Sequence, residues 1–274
     1  YHYQGSVMTD THIKGYSDID LLVICEKYYS YDSASVKQIL ASYNTRYSYS
    51  QLSKLRSIDN ASPYTGNVYD DLRTIRVQSE SILSRKYLKC DISHPKAIKI
   101  TNQDLHRDVD IVTAGWYDNV NSIINDQNIT YRGIQVYDKV ANNRCAADYP
   151  FLSIERINTK SVNTGGRLKR MIRFLKNIKA DSKQKIDLSS FDINAICYNI
   201  DIDAYKDLHY LYLVTIVFLQ LHKIAYDESY ANSITSVDGK EYIFRGNNKR
   251  REVATMLQNV STIYSILKEQ HLII

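Results

Sequence analysis

At 274 residues, with 44% hydrophobic and 24% charged side chains, the chain has the make-up of a folded protein, large enough for one big domain or two modest ones. Three prolines and nine glycines exclude a collagen-like or low-complexity polymer. A net charge of +5 suits an anionic nucleotide but is too weak by itself to argue for a long nucleic-acid partner.

Cys25, Cys90, Cys145 and Cys197 form no C-x-x-C pair, so neither a zinc ribbon nor a disulfide framework is expected. Seven histidines show no ligand spacing. No signal-peptide pattern is present. The apolar run from Leu208 to Tyr226 carries His209, Gln220, His222 and Lys223. Its uninterrupted stretch of about ten residues predicts a buried helix, not a membrane span. These features predict a cytoplasmic protein without membrane association. Tyr1 is not a native start, so a further N-terminal segment is expected before it.

In chain order, His2 to Gln4 reads as the end of a strand that enters a turn at Gly5-Ser6. Gly lets the backbone approach an anion without a Cβ clash. Val7 to Thr11 is expected to be the first turn of a helix whose N-terminus faces bound phosphates. Ile19 to Cys25 is an apolar, β-branched strand headed by Asp18 and Asp20. Two residues apart on a strand, these carboxylates project to the same side. Side by side they repel unless a cation sits between them. Hard oxygen ligands of this kind suit Mg²⁺ or Mn²⁺, usually completed by substrate phosphates.

Residues 27–68 are rich in tyrosine and serine and read as an insertion of modest order, with one helical patch from Val36 to Tyr43. Asp70 to Leu88 has helical spacing of Leu72, Ile75, Val77, Ile82 and Leu83, acidic at its start and basic at its end, as the helix dipole prefers. Ala97 to Ile100 and Val109 to Val112 are two further strands, with a turn at Asn102-Gln103-Asp104. A metal site needs a third carboxylate on a strand beside the first pair. Asp108 and Asp110 share a face by alternation, so spacing does not choose between them. Trp116 and Tyr117 follow, as lining of an acceptor pocket or as core.

Thr164-Gly165-Gly166 breaks the chain before a basic helix from Arg167 to Lys179. Beyond it, helices are expected to Ile274, apart from a short strand or loop at Lys240 to Phe244. Ser189 or Ser190 caps the next helix, with Phe191 in the core. Lys249-Arg250-Arg251 opens the last helix, where the dipole disfavours cations, which reads as a hint of a nearby anion or, more often, as a solvated turn. The predicted division is a core of residues 1–160 and a helical lobe of 161–274.

The string G-S-x-x-x-x-T-x-I-x-x-x-S-D-I-D-L, from Gly5 to Leu21, resembles the polymerase-β-like nucleotidyltransferase superfamily. It is most similar to the branch of the 2′-5′ oligoadenylate synthetases, cyclic GMP–AMP synthase and their bacterial counterparts. Many members have Gly where this chain has Asp10. Relatives carry Asp, two apolar residues and commonly Pro-Ala. Asp110-Ile111-Val112-Thr113-Ala114 matches with Thr for Pro, so the resemblance selects Asp110 as the third ligand. Arg170 to Lys179 resembles the helix R-L-V-R-L-L-K-Y-W-K, whose Lys after two apolar residues reaches the triphosphate; that position is Lys176. Leu188 to Ile193 resembles a stretch in which Ser bonds a phosphate and an aromatic stacks on a base, here Ser190 and Phe191.

The resemblance implies an α+β fold, a polymerase-β-like core of mixed twisted sheet and flanking helices plus a C-terminal helical lobe, with a nucleotide cleft. It implies Asp18, Asp20 and Asp110 as catalytic ligands of two Mg²⁺ (or Mn²⁺) ions, and Gly5, Ser6, Lys176, Ser190 and Phe191 as nucleotide contacts. The implied activity joins nucleoside triphosphates into a cyclic di- or oligonucleotide second messenger with release of pyrophosphate, in bacterial anti-phage signalling through a separate, product-activated effector. Competing readings are a linear synthase, transfer to RNA, a small molecule or a protein, and an inactive nucleotide-binding scaffold.

Overall fold

A computed structural model describes residues 1–13, 19–42, 46–103, 107–246 and 248–273. Calls on Gly15, Ser17, Asp18, Tyr43 and Asp104 therefore lie outside the described residues. The chain forms two compact units, Tyr1–Gly5 with Asp18–Leu152, and Ser6–Ser17 with Ser153–Ile274.

Among the described residues, the first unit is built on a seven-stranded mixed sheet. Its strands are β1 (His2–Gln4), β2 (Ile19–Cys25), β3 (Cys90–Asp91), β4 (Ile98–Asn102), β5 (Arg107–Tyr117), β6 (Gly133–Asp138) and β7 (Asn143–Arg144). The path runs β1-β2-β5-β4-β3, with β6 beside β5 and β7 beside β6. Only the β2–β5 pair is parallel. β5 is long enough to pair one edge first with β4 and then with β6. Its β-branched and aromatic residues suit a pleated, buried surface.

One sheet face is covered by α3 (Val68–Lys86). Ile98, Ile100 and Ile111 pack there with Leu21, Val23 and Leu83, while Leu72 joins Cys25, Tyr28 and Tyr137. Asn67 caps α3 by accepting from the Tyr69 and Asp70 amides. The expected order of residues 27–68 needs correction. Two helices, α1 (Ser33–Ala41) and α2 (Tyr49–Asp59), pack with α4 (Val120–Ile124) around Val36, Leu55 and Ile123. The signal for α2 is the reciprocal capping box of Ser48 and Gln51, set among polar residues that mask its single apolar stripe.

Val7 to Thr11 is a series of turns, not a helix. Asp10 has φ 49°, outside right-handed helix space, and the Thr11 amide closes back on the Ser6 carbonyl at 2.9 Å. Asp10 thus takes up a left-handed geometry that favours Gly.

In the second unit lie α6 (Arg167–Asp181), α7 (Ser190–Tyr198), α8 (Leu213–Tyr226), α9 (Glu228–Ser233) and α10 (Lys249–Glu269), led in by α5 (Pro150–Asn163). Gly165 and Gly166, at φ 55° and 83°, turn the chain from α5 into α6. Leu168, Met171, Ile172 and Leu175 recur at helical spacing and enter a core shared with Ile196, Val217, Leu221, Val253 and Met256. Between Lys240 and Phe244 the chain forms a short bridge, Tyr242 to Thr235, with backbone bonds from Ser236 N to Glu241 O and Ile243 N to Ile234 O. No described helix is long and apolar enough to cross a membrane.

Candidate active site

The sheet places polar side chains in a row across the face opposite α3. Asp20 of β2 is the register partner of Asp110 in the parallel pair. Gln4 is opposite Asp20, and Lys99 is opposite Asp110. Register partners share a face, so Gln4, Asp20, Asp110 and Lys99 line up on neighbouring strands. Two residues along each strand the face turns apolar, where Leu22, Val112, Ala114 and Trp116 pack with Ile134 and Phe151. The acidic row therefore sits at the edge of a dry patch that fixes strand register.

Asp108 and Asp110, equivalent by spacing, differ in surroundings. Asp108 accepts from Thr101 Oγ1 at 2.7 Å and pairs with Lys99 Nζ at 3.5 Å. The Thr101 hydroxyl, with the Lys99 charge, holds the Asp108 carboxyl below the usual carboxylate range. Asp110 lines a cavity of about 440 Å³ together with His94, Pro95, Lys96, Ala97 and Lys99. The wall of that cavity is fastened from the other side of the sheet. Arg76 of α3, fully buried, donates to the carbonyls of His94 and Ala97, both at 2.8 Å, and its Nε donates to Glu80 at 2.8 Å. Lys139 also reaches Glu80 at 2.7 Å. Burial raises the Glu80 carboxyl, but bonds from Lys139 and Arg76 outweigh it and leave the pKa lowered. Sequence reading missed Arg76; its sole local signal is a Glu four residues on in the same helix.

Gly5 stands at φ 77°, and a Cβ there would collide with Asp20 Oδ2. The turn and the carboxylate approach each other so closely that only Gly fits.

In the second unit, Lys176 of α6 is buried, and its ammonium donates to the Thr11 carbonyl at 3.0 Å and to Thr11 Oγ1 at 3.3 Å. Arg173, one turn earlier, donates to the Asp10 carbonyl and lies 3.4 Å from its carboxylate. Ser189, not Ser190, is the N-cap of α7, in a capping box with Asp192. Ser190 is left exposed at the first helical position. Phe191 is half-buried against the helical core. Arg170 lies 3.8 Å above the Tyr210 ring, and Lys179 donates to the Leu188 carbonyl at 2.7 Å, so neither is a purely solvated charge. The first-turn cations of α10 have protein partners: Lys249 pairs with buried Asp192 at 2.7 Å and Arg250 with Glu228 at 3.5 Å. Trp116 is core, buried beneath Arg132 and beside Phe151.

A family model, the cGAS/DncV-like nucleotidyltransferase C-terminal helical domain, matches residues 155–265. A c-di-GMP synthase of Capnocytophaga granulosa is 52% identical over 270 residues, covering 98% of this chain and 77% of that protein. The chain belongs to the cGAS/DncV-like nucleotidyltransferases. A second c-di-GMP synthase, from a Lachnospiraceae bacterium, is 46% identical over 94% of this chain and 75% of its own length. The solved STING-associated CdnE c-di-GMP synthase from Flavobacteriaceae sp. superposes with TM-score 0.88 at 40% identity, covering 98% of this chain and 76% of that one.

As a member of this family, the chain is a cyclic-oligonucleotide-synthesising nucleotidyltransferase with the polymerase-β-like sheet and helical lobe that its sequence implies. Such enzymes are generally metal-dependent. The donor set fits a hard cation: two carboxylates from adjacent parallel strands, in register, beside a glycine that leaves no Cβ in the way. Asp18 lies outside the described residues, and among those described no cluster of three or more His, Cys, Asp or Glu residues converges.

Proposed function

We propose that this chain joins two molecules of GTP into cyclic di-GMP. Relatives named for that product, at 52% and 46% identity over nearly the whole chain, support this choice of base. A ribose hydroxyl of one nucleotide loses its proton and attacks the α-phosphorus of the other. The bond to the β-phosphate oxygen breaks and pyrophosphate leaves. A second, internal attack closes the ring and releases a second pyrophosphate. Asp18, Asp20 and Asp110 would hold two Mg²⁺ ions, which would make the attacking hydroxyl more acidic and offset charge on the phosphates. Gly5 and Ser6 offer backbone donors to phosphate, and Ser190 adds a hydroxyl at the N-terminus of α7. Lys176 supports triphosphate binding, and Phe191 contributes its exposed edge to a base. The product acts in the cytoplasm on a separate effector in anti-phage signalling, as the STING-associated label of two related structures suggests for those proteins.

The observation that carries this reading is the side-by-side register of Asp20 and Asp110. Incubation with all four triphosphates and Mg²⁺ or Mn²⁺, followed by mass spectrometry, tests it. The expected product is phosphatase-resistant cyclic di-GMP made from GTP alone. A phosphatase-sensitive ladder makes the enzyme a linear synthase, and absence of turnover in every condition makes it a scaffold.

A further inference from the structure

The segment after Gly5 is held almost entirely by side chains of the helical unit. Within residues 6–13 the described bonds include local turn contacts: Asp10 N to Val7 O at 3.3 Å, Thr11 N to Ser6 O at 2.9 Å, Thr9 Oγ1 to Ser6 O at 3.3 Å, and a 2.8 Å contact between the Thr9 and Thr11 hydroxyls. Helix α6 adds bonds from outside the segment. Arg173 and Lys176, three residues apart and so on one helix face, reach consecutive residues of the segment. Arg173 takes the Asp10 carbonyl and carboxylate, and Lys176 takes the Thr11 carbonyl and hydroxyl. From α5, Asn158 adds a bond to the Met8 carbonyl at 3.4 Å.

The choice of groups is informative. A carbonyl that accepts from a cation is fixed in direction, and fixing two successive carbonyls fixes the peptide planes between them. Asp10 sits at φ 49°, a conformation that a non-glycine residue holds only when its surroundings enforce it. Thr11 is fully buried and Lys176 is 5% exposed, so this ammonium is turned inward onto the segment.

We propose that Arg173 and Lys176 form a clamp that sets the conformation of the Ser6–Ile13 segment, so that Lys176 serves the nucleotide by positioning this loop through Thr11 instead of binding phosphate directly. Both are positioning residues. The loop-ordering claim stands on the hydrogen bonds alone. Its catalytic consequence rests on the reading above of Gly5 and Ser6 as phosphate contacts.

Hydrogen exchange of the nucleotide-free protein separates the two roles. In Lys176→Met, which replaces a buried cation with a side chain of similar length, the Asp10 and Thr11 amides should exchange at least about tenfold faster, while amides in the middle of α6 stay protected. Arg173→Gln, at a partly exposed position, should speed the same amides by a smaller factor and keeps the test alive if Lys176→Met does not fold. Thr11→Val should loosen the segment, and Thr11→Ser, which keeps the hydroxyl, should restore protection. In turnover, Thr11→Val and Lys176→Met should raise KM for the triphosphate non-additively, because both remove the bond between Lys176 and the Thr11 hydroxyl. Unchanged loop exchange in Lys176→Met and Arg173→Gln, with KM raised in Lys176→Met alone, would overturn the clamp and return Lys176 to the phosphate. The exchange measurement needs no substrate, so it stands or falls apart from the identity of the product.

Discussion

The two units position functional groups by opposite means. In the sheet unit the backbone does it. Asp20 and Asp110 share a face because β2 and β5 are hydrogen-bonded in one register, and a one-residue slip would send each carboxylate into the face that α3 covers. In the helical unit side chains do it. Lys176, Arg173 and Lys249 are each aimed by a specific partner, Thr11, Asp10 and Asp192, and a single substitution can release one without disturbing the helix that carries it. Acid placed by a ladder is rigid and tolerant of change elsewhere. A cation placed by one partner is adjustable and vulnerable at that partner.

The largest effect that tests this contrast is loss of a strand carboxylate. Asp20→Asn or Asp110→Asn should lower turnover by at least about 100-fold, the scale for removing a group that faces transition-state charge, with the melting temperature unchanged. Asp108→Asn should cost far less, because Thr101 and Lys99 already engage that carboxyl. Equal losses at Asp108 and Asp110 in a steady-state assay would erase the distinction drawn between them.

Next comes Gly5→Ala. Its Cβ would displace Asp20, and a misplacement of about 1 Å near the reacting centre costs on the order of 100-fold in rate. Activity similar to the parent would mean that Asp20 tolerates displacement.

A stability effect follows on the far side of the sheet. Arg76→Met leaves the His94 and Ala97 carbonyls without their donor and should cost about 2–3 kcal/mol in chemical denaturation. The loss should carry over to activity, since the freed loop borders the cavity at Asp110.

The same cluster has a pH signature. The Glu80 pKa is lowered from 4.5 in the folded chain, so its bonds stabilise fully above that value, and the contribution fades as pH falls through the lower folded value. Stability should decline below about pH 4.5, and Glu80→Gln should flatten that part of the profile. An unchanged slope would assign acid sensitivity to other carboxylates.

The smallest pair of effects separates capping from binding on α7. Ser189→Ala removes the N-cap and should cost about 1 kcal/mol. Ser190→Ala should leave stability within about 0.5 kcal/mol while raising KM for the triphosphate a few-fold. The reverse outcome would make Ser190 structural.

Much of this molecule was legible before any coordinates. Ile19–Cys25 announced itself by β-branched residues, α3 by its spacing and terminal charges, and the turn at Gly165-Gly166 by composition, because each is decided by neighbours in sequence. Asp110 was chosen over Asp108 only by resemblance, since alternation treats them alike. Tertiary structure supplied what local pattern does not encode: the register that sets Asp20 beside Asp110, the buried Arg76 that holds a loop eighteen residues away, and the clamp of Lys176 on Thr11. The helical patch from Val36 was read, but α2 was missed because Leu52, Leu55 and Ile58 stand among polar residues and become a core only against α1 and α4. Sequence fixes which elements form, through short-range sterics and hydrophobic period. Which of their polar groups meet depends on long-range pairing, whose free energy exists only once the chain has folded.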